Sequence, residues 1–183
     1  MTQIGRMLIM APLLGLLALT PTRTSAATLV PFRASVHEHY TLKFCAPLTA
    51  CIQATGTGHA TYLGQVTEYA SVLVDINPAD VVIVNGYSCN PETRSTVLVA
   101  HNGDQITMSA TGLSCSATST TGSAHDSYVV TGGTGRFQGA SGIGANSNTY
   151  MVTGQLLTGE FVGEADVTYS GNLSSPGALA SYH

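Results

Sequence analysis

The sequence is short of charge, and of positive charge above all. Its 183 residues include six Lys and Arg, ten Asp and Glu, and no Trp, and the formal net charge is −4. Binding to nucleic acid or to anionic lipid depends on clustered basic side chains, and no such cluster is present in the sequence. We therefore expect no nucleic-acid partner and no charge-driven membrane partner.

Long hydrophobic runs are also missing, apart from one near the start that is too short for an ordinary membrane span. This run covers residues 7–19, follows Arg6 and precedes a series of small residues. A charged start, an apolar middle and a small-residue cleavage site are typical of a secretory signal peptide. We predict a signal peptide over 1–26, one secreted (extracellular or periplasmic) domain over 27–172 without a membrane span, and a loose tail over 173–183.

Apolar residues at the 3.6-residue spacing of a helix are scarce, and short stretches with strand character recur between Gly, Asn and Ser clusters. The strongest hairpin signal is Asn102-Gly103. The sequence therefore predicts an all-β antiparallel barrel or sandwich with eight strands, or nine if Val81–Val84 forms one. The predicted strands are Phe32–Leu42, Ile52–Leu63, Thr67–Ile76, Thr96–Ala100, Gln105–Ala110, Ser127–Thr131, Ser147–Val152 and Phe161–Tyr169, with Leu113–Ala124 as a loop.

The four cysteines all follow the predicted signal peptide. An even number in an oxidising compartment indicates two disulfides. Cys45 and Cys51 flank a short turn, whereas Cys89 and Cys115 flank the candidate hairpin, whose two ends lie close in space. We predict the pairs 45–51 and 89–115. A zinc site is the alternative, but no Cys-x-x-Cys and no His at ligand spacing accompanies these cysteines.

A glycine-rich corner, VTGGTGRFQGASG over residues 130–142, is the most distinctive motif. Its glycines allow the chain to reverse in little space, and its single large apolar side chain is expected to plug the core. The spacing excludes a phosphate-binding loop and a nucleophile elbow. We expect its arginine to pair with a carboxylate, Asp104 if the two turns share one end of a barrel. The corner residues are Gly132, Gly133, Gly135, Arg136, Phe137, Gly139 and Gly142.

Together with LVAHNGDQITMSATG (98–112) and GTGHATYLGQV (56–66), this corner resembles the allene oxide cyclase barrel-like superfamily. That superfamily includes plant allene oxide cyclases, dirigent proteins and many secreted bacterial proteins, and the chain resembles the bacterial members most. The resemblance implies an eight-stranded antiparallel barrel of the allene oxide cyclase or dirigent type with a central cavity. It further implies chemistry without a metal or organic cofactor, and a trimer as in the plant members.

Few other side chains point to a site, and no catalytic residue can be named. His59, Tyr128 and Tyr150 are candidate pocket residues. The plainer interpretation is a barrel-filling or surface position for His59 and aromatic packing for the two tyrosines. His37 and His39 lie two apart on a predicted strand and share one face, which suits two ligands of one metal. Because no third ligand can be named, we expect a polar surface there and no metal site. The acidic residues Glu160, Glu164 and Asp166 are expected on a solvent-facing strand surface.

Two functions follow from these observations. In the first, the barrel binds a small hydrophobic molecule in its cavity and either carries it or steers a cyclisation or coupling without a cofactor. In the second, it is a non-catalytic extracellular interaction or structural module with a filled interior. The many Thr, Ala and Gly in the predicted strands favour a cavity.

Overall fold

Eight long strands close into one antiparallel barrel in the computed structural model, which describes residues 28–174. Neighbours around the barrel run β3-β2-β1-β9-β8-β7-β6-β5, and β5 pairs with β3 to close it. The predicted eight-stranded barrel is therefore confirmed. The strands are β1 Val30–Ala46, β2 Thr49–Ala60, β3 Gly64–Asp75, β4 Val82–Val84, β5 Tyr87–Ala100, β6 Gln105–Ser116, β7 Thr121–Thr134, β8 Ser141–Gln155 and β9 Phe161–Ser174.

The ninth strand is real but lies outside the closed barrel. β4 pairs only with the first residues of β5, Tyr87 to Cys89, and its three residues are exposed. The predicted loop over Leu113–Ala124 is wrong, because β6 and β7 extend through most of it. Its Ser, Thr and Gly residues carry little strand signal on their own, and they are ordered by pairing with each other across the hairpin.

The ends of the predicted domain fall partly outside the described residues. β9 continues to Ser174, two residues past the predicted boundary at 172, and Leu173 is buried. The signal peptide predicted over residues 1–26 and the rest of the predicted tail lie outside the described residues, so both stay predictions.

Large apolar side chains fill the interior at one end of the barrel and close that end to solvent. The glycine corner lies at this closed end, where Gly135–Phe137 forms a single 3-10 turn between β7 and β8. As expected, Arg136 donates from Nε to Asp104 Oδ2 at 2.6 Å, and its Nη2 also donates to the Tyr62 carbonyl at 3.1 Å. The hydrogen bond from Arg136 lowers the pKa of Asp104. The side chains that fill this end are Phe32, Leu98, Ile106, Met108, Phe137 and Leu173.

Tyrosine rings occupy the space that glycines leave inside the barrel. Strand residues alternate between the interior and the solvent, and a glycine at an interior position lets a ring from a neighbouring strand lie flat against the backbone. A Cβ atom at any of these glycines would overlap the ring it faces. The pairs are Tyr40 with Gly163, Tyr128 with Gly144 and Gly171, and Tyr150 with Gly122.

Both predicted disulfides are present, at the end of the barrel opposite the glycine corner. Cys45–Cys51 closes the β1–β2 turn, and Cys89–Cys115 joins residues that lie directly opposite each other on β5 and β6. They brace the loops that surround the open end of the barrel. Two disulfides are compatible with an oxidising, extracellular compartment.

We expect the two disulfides to differ in their contribution to stability. They close loops with sequence separations of 26 for Cys89–Cys115 and 6 for Cys45–Cys51. On the chain-entropy estimate, replacing the first pair by alanine lowers the free energy of unfolding by about 3–4 kcal/mol and replacing the second by about 2 kcal/mol. Urea unfolding followed by circular dichroism measures both, and a larger loss for the 45–51 pair would contradict the estimate.

Candidate functional site

A cavity of about 210 Å³ opens at the end of the barrel that carries the disulfides. One wall, from β1 to β3 and the residue after β3, is apolar, whereas the opposite wall, from β5, β6 and β8, offers hydrogen-bonding groups. A molecule bound here therefore meets an apolar face and a polar face. The apolar wall is Leu42, Phe44, Ala50, Ile52, Val72, Val74 and Ile76, and the polar wall is Asn90, Glu92, Ser114, Ser116, Asn148 and Tyr150.

The floor of the cavity is a buried ion cluster centred on Arg94. Its Nη2 donates to Glu38 Oε1 and, at 2.7 Å, to Glu68 Oε1. Its Nε donates to Thr96 Oγ1 at 3.1 Å, and Tyr169 donates its hydroxyl hydrogen to Glu68. The three charged side chains have at most 3% of their surface exposed. We call these five residues the arginine cluster.

The arginine cluster holds a proton near neutral pH. Burial raises the pKa of Glu38 to about 7, opposed by Arg94 and reinforced by the nearby Glu68. Burial also disfavours the charged form of Arg94, but Tyr169 and the two carboxylates keep its pKa above its ordinary value. One cation thus faces two carboxyl groups, of which Glu38 is half protonated at about pH 7.

A second pair of buried acids, Glu92 and Asp126, lies beside the cavity. Glu92, Gly112, Asp126 and Asn146 pair with one another in turn across β5, β6, β7 and β8, so they lie at one level around the barrel. A Cβ atom at Gly112 would overlap Asp126 Oδ1. The glycine therefore leaves the space through which the two carboxyl groups approach each other.

In this acid pair, Glu92 keeps its proton to a higher pH than usual, and a hydrogen bond from Asn146 holds Asp126 in place. Asn146 Nδ2 donates to Asp126 Oδ2 at 2.8 Å. Burial, with the adjacent Asp126 carboxylate, raises the pKa of Glu92 to about 8, against smaller opposing effects of Arg94 and Ser114. Glu92 Oε1 and Asp126 Oδ1 are buried and receive no hydrogen bond from any other side chain of residues 28–174, while the hydrogen bond between Glu92 and Asp126 is a further cause of the raised pKa of Glu92. A buried polar atom without a partner is costly, and such atoms point to a bound molecule or a chemical role.

The three candidate pocket residues lie in different parts of the barrel: one lines the cavity, one is buried elsewhere in the interior and one is exposed. Tyr150 lines the cavity, and its hydroxyl donates to the Cys115 carbonyl at 3.4 Å. Tyr128 is buried deeper, with its ring centroid 6.0 Å from that of Tyr169, and is not among the residues that line the cavity. Burial raises its pKa to about 12. His59 is exposed on the outer face of β2, so it takes the surface position that was the plainer interpretation and not its candidate pocket role.

The charged residues of the interior were missed by the sequence analysis. Four of the ten acidic residues, together with Arg94, lie inside the barrel. One signal for them does exist in the sequence. Glu38 and Glu68 each stand between small or apolar residues two positions away on either side, the spacing of one strand face. A charged residue within such an apolar face is a candidate for the interior.

The outer face of β9 carries the acidic residues that were expected to face solvent. Asp166 and Glu164 have 77% and 44% of their side-chain surface exposed, and they lie opposite His37 and His39 of β1. Glu160 has 34% exposed and lies 4.0 Å from Lys43 Nζ. The expectation of a solvent-facing surface agrees with this arrangement.

Comparisons with known proteins find a similar solved structure but no matching family and no matching curated protein. Neither the protein families nor the curated proteins give a match. Among solved structures, the chain is similar to a pterocarpan synthase dirigent protein, with 12% sequence identity, a TM-score of 0.38, and coverage of 84% of this chain and 98% of that one. Likeness to allene oxide cyclases or to secreted bacterial members stays a prediction.

The described part of the chain contains no candidate for a membrane-spanning helix. Within residues 28–174, no helix has the length and apolar character needed to cross a membrane.

Proposed function

We propose that the barrel binds a small, mainly apolar molecule that carries a hydroxyl group, in the cavity at its open end. The observation that carries this proposal is the buried Glu92, which lines a cavity whose other wall is apolar. The Oε1 atom of Glu92 receives no hydrogen bond from a side chain of residues 28–174 other than that of its acid partner. A hydroxyl group of the ligand donates to the Glu92 carboxyl group. The rest of the molecule packs against Val72, Val74 and their neighbours.

The same arrangement supports a catalytic form of the proposal. Glu92 carries a proton at neutral pH, and the cation of Arg94 lies two residues along the same strand face. A proton donor beside a bound hydroxyl group, in a site with an apolar wall, suits an acid-assisted cyclisation, a redox-neutral rearrangement within one molecule that needs no cofactor. In this form the cavity wall holds one conformation of the substrate and thereby selects the product.

A matched pair of ligands tests the binding proposal. We expect 2-naphthol to bind roughly tenfold more tightly than naphthalene, because only the naphthol supplies a donor to the buried oxygens. Val74→Trp fills the cavity and should abolish binding of both compounds. The control is Leu73→Trp, the adjacent outward-facing residue with 49% of its surface exposed, which should bind like the wild type. Fluorescence titration measures all of these.

The alternative function, a non-catalytic extracellular structural module, is favoured by the filled closed end and the two disulfides. If the barrel is such a module, neither 2-naphthol nor naphthalene should bind, or Val74→Trp and Leu73→Trp should bind them equally. Native mass spectrometry of the protein secreted by its own host, before and after gentle organic extraction, then shows whether a natural ligand is released. The same spectrum gives the number of subunits and tests the predicted trimer.

A further inference from the structure

We propose that His37, His39 and Glu164 form a zinc-binding site on the outer wall of the barrel, independent of the cavity. The sequence alone supplies two ligands, since the two histidines share one face of β1. The third ligand comes from strand pairing. β1 and β9 run antiparallel with His39 opposite Glu164 and His37 opposite Asp166.

The donor atoms are already close together. One ligand atom from each of His37, His39 and Glu164 lies within 4.8 Å of the others, and the two imidazole rings meet edge to face with centroids 5.3 Å apart. Zinc bonds of about 2.0–2.1 Å in a tetrahedron place donors roughly 3.4 Å apart. The required contraction is small, and His39 and Glu164 are exposed enough to make it by side-chain rotation.

Asp166 has a different role from the three ligands. Its Oδ1 lies 2.9 Å from His37 Nδ1, and an ionised carboxylate only accepts hydrogen bonds. His37 therefore donates from Nδ1, and its Nε2 keeps the lone pair that a metal needs. A carboxylate that orients a histidine in this way is a recurrent feature of zinc sites in proteins.

The donor set selects the type of metal. Two imidazoles and one carboxylate suit zinc and similar first-row ions, whereas calcium and magnesium prefer oxygen ligands alone. Three protein ligands leave the fourth position open to water or to a donor group of another molecule. Bound zinc would also join β1 to β9 on the outside of the barrel, opposite the interior strand faces that carry Glu38 and Ala165.

Calorimetric titration of the full metal-free protein with zinc chloride tests the proposal. We expect one zinc ion per chain, with affinity reduced at least tenfold in His39→Ala and in Glu164→Gln. Asp166→Asn should reduce it roughly tenfold, since loss of the orienting carboxylate commonly costs 10–100-fold in metal affinity. Calcium chloride should produce no binding heat and should not displace zinc.

Three control variants show whether the site is the one proposed. His59→Ala removes an exposed histidine on the neighbouring strand β2, and Glu160→Gln removes the acidic residue that directly precedes β9. His183→Ala removes the last histidine of the sequence. All three variants should bind zinc with the affinity of the wild type. In the wild type, the imidazole nitrogen resonances of His37 and His39 should shift with zinc while those of His59 stay fixed, a readout that needs no substitution. The proposal is overturned if no zinc binds, if the ligand variants bind like the wild type, or if His183→Ala alone abolishes binding.

Discussion

Replacing Arg94 by methionine is expected to lower the free energy of unfolding by about 3–5 kcal/mol. The substitution removes the guanidinium cation that pairs with Glu38 and Glu68, both buried in the barrel interior. A methionine fills much of the same space, so the loss comes from two carboxyl groups left without a positive partner and not from a cavity. Urea unfolding at pH 8, followed by circular dichroism, measures it.

The pH dependence of this loss separates charge from packing. Burial raises the pKa of Glu38 to about 7, so protonation removes the charge of this carboxyl group and the destabilisation by Arg94→Met should shrink as the pH falls towards 4.5. The matched control is Arg33→Met, because Arg33 is exposed on the outer face of β1. A loss for Arg94→Met that equals that of Arg33→Met, or that stays the same at both pH values, would contradict a role for the charge of Arg94.

The protein is expected to lose stability as the pH rises from about 4.5 to about 8. In the unfolded chain Glu38 and Glu92 ionise near their ordinary pKa of 4.5, whereas burial raises these values to about 7 and about 8 in the barrel. Between these limits the folded state holds protons that the unfolded state has released, so a rise in pH favours unfolding. The stabilisation is complete below 4.5 and lost above 8. Each pKa unit corresponds to about 1.4 kcal/mol, so we expect a loss of a few kcal/mol.

Glu92→Gln tests this assignment. Glutamine resembles the protonated carboxyl group in shape and hydrogen bonding but does not ionise. The free energy of unfolding of the variant should equal that of the wild type at pH 4.5 and exceed it at pH 8.5. Between these values, the free energy of unfolding should fall less steeply with pH in the variant than in the wild type. Glu160→Gln, at a partly exposed position, should give a curve parallel to that of the wild type. A Glu92→Gln curve that is also parallel would show that Glu92 does not hold the proton.

Local features of the sequence are responsible for what could be predicted about the fold. Alternation within short segments indicates strands, Asn102-Gly103 and the glycine corner indicate reversals, and cysteines at the two ends of a hairpin indicate a disulfide. All of these depend on residues that are close along the chain or joined by a tight turn. The Arg136–Asp104 pair was also within reach, because each residue belongs to a recognisable turn.

His59 and Tyr128, the two candidate pocket residues that do not line the cavity, show where such reasoning fails. His59 was chosen for its chemistry, but one position along a strand turns a side chain from the interior to the solvent, and its face was not determined by its neighbours. The interior glycines were taken to leave open space, whereas Tyr40, Tyr128 and Tyr150 fill it from adjacent strands. The cavity exists instead because the open end lacks the large side chains that pack the closed end.

Short-range pattern and turn chemistry in the sequence determined the all-β class, the two disulfides and the glycine corner, but they left a barrel and a sandwich open, and only the family resemblance implied the eight-stranded barrel. Only the tertiary structure brought Arg94 to Glu38 and Glu68, Glu92 to Asp126, and His39 to Glu164. These partners are far apart along the chain, for example 26 residues for Arg94–Glu68 and 56 for Arg94–Glu38. Strand order and register decide such contacts, and both are properties of the closed barrel as a whole, because each strand is held in place by two neighbours.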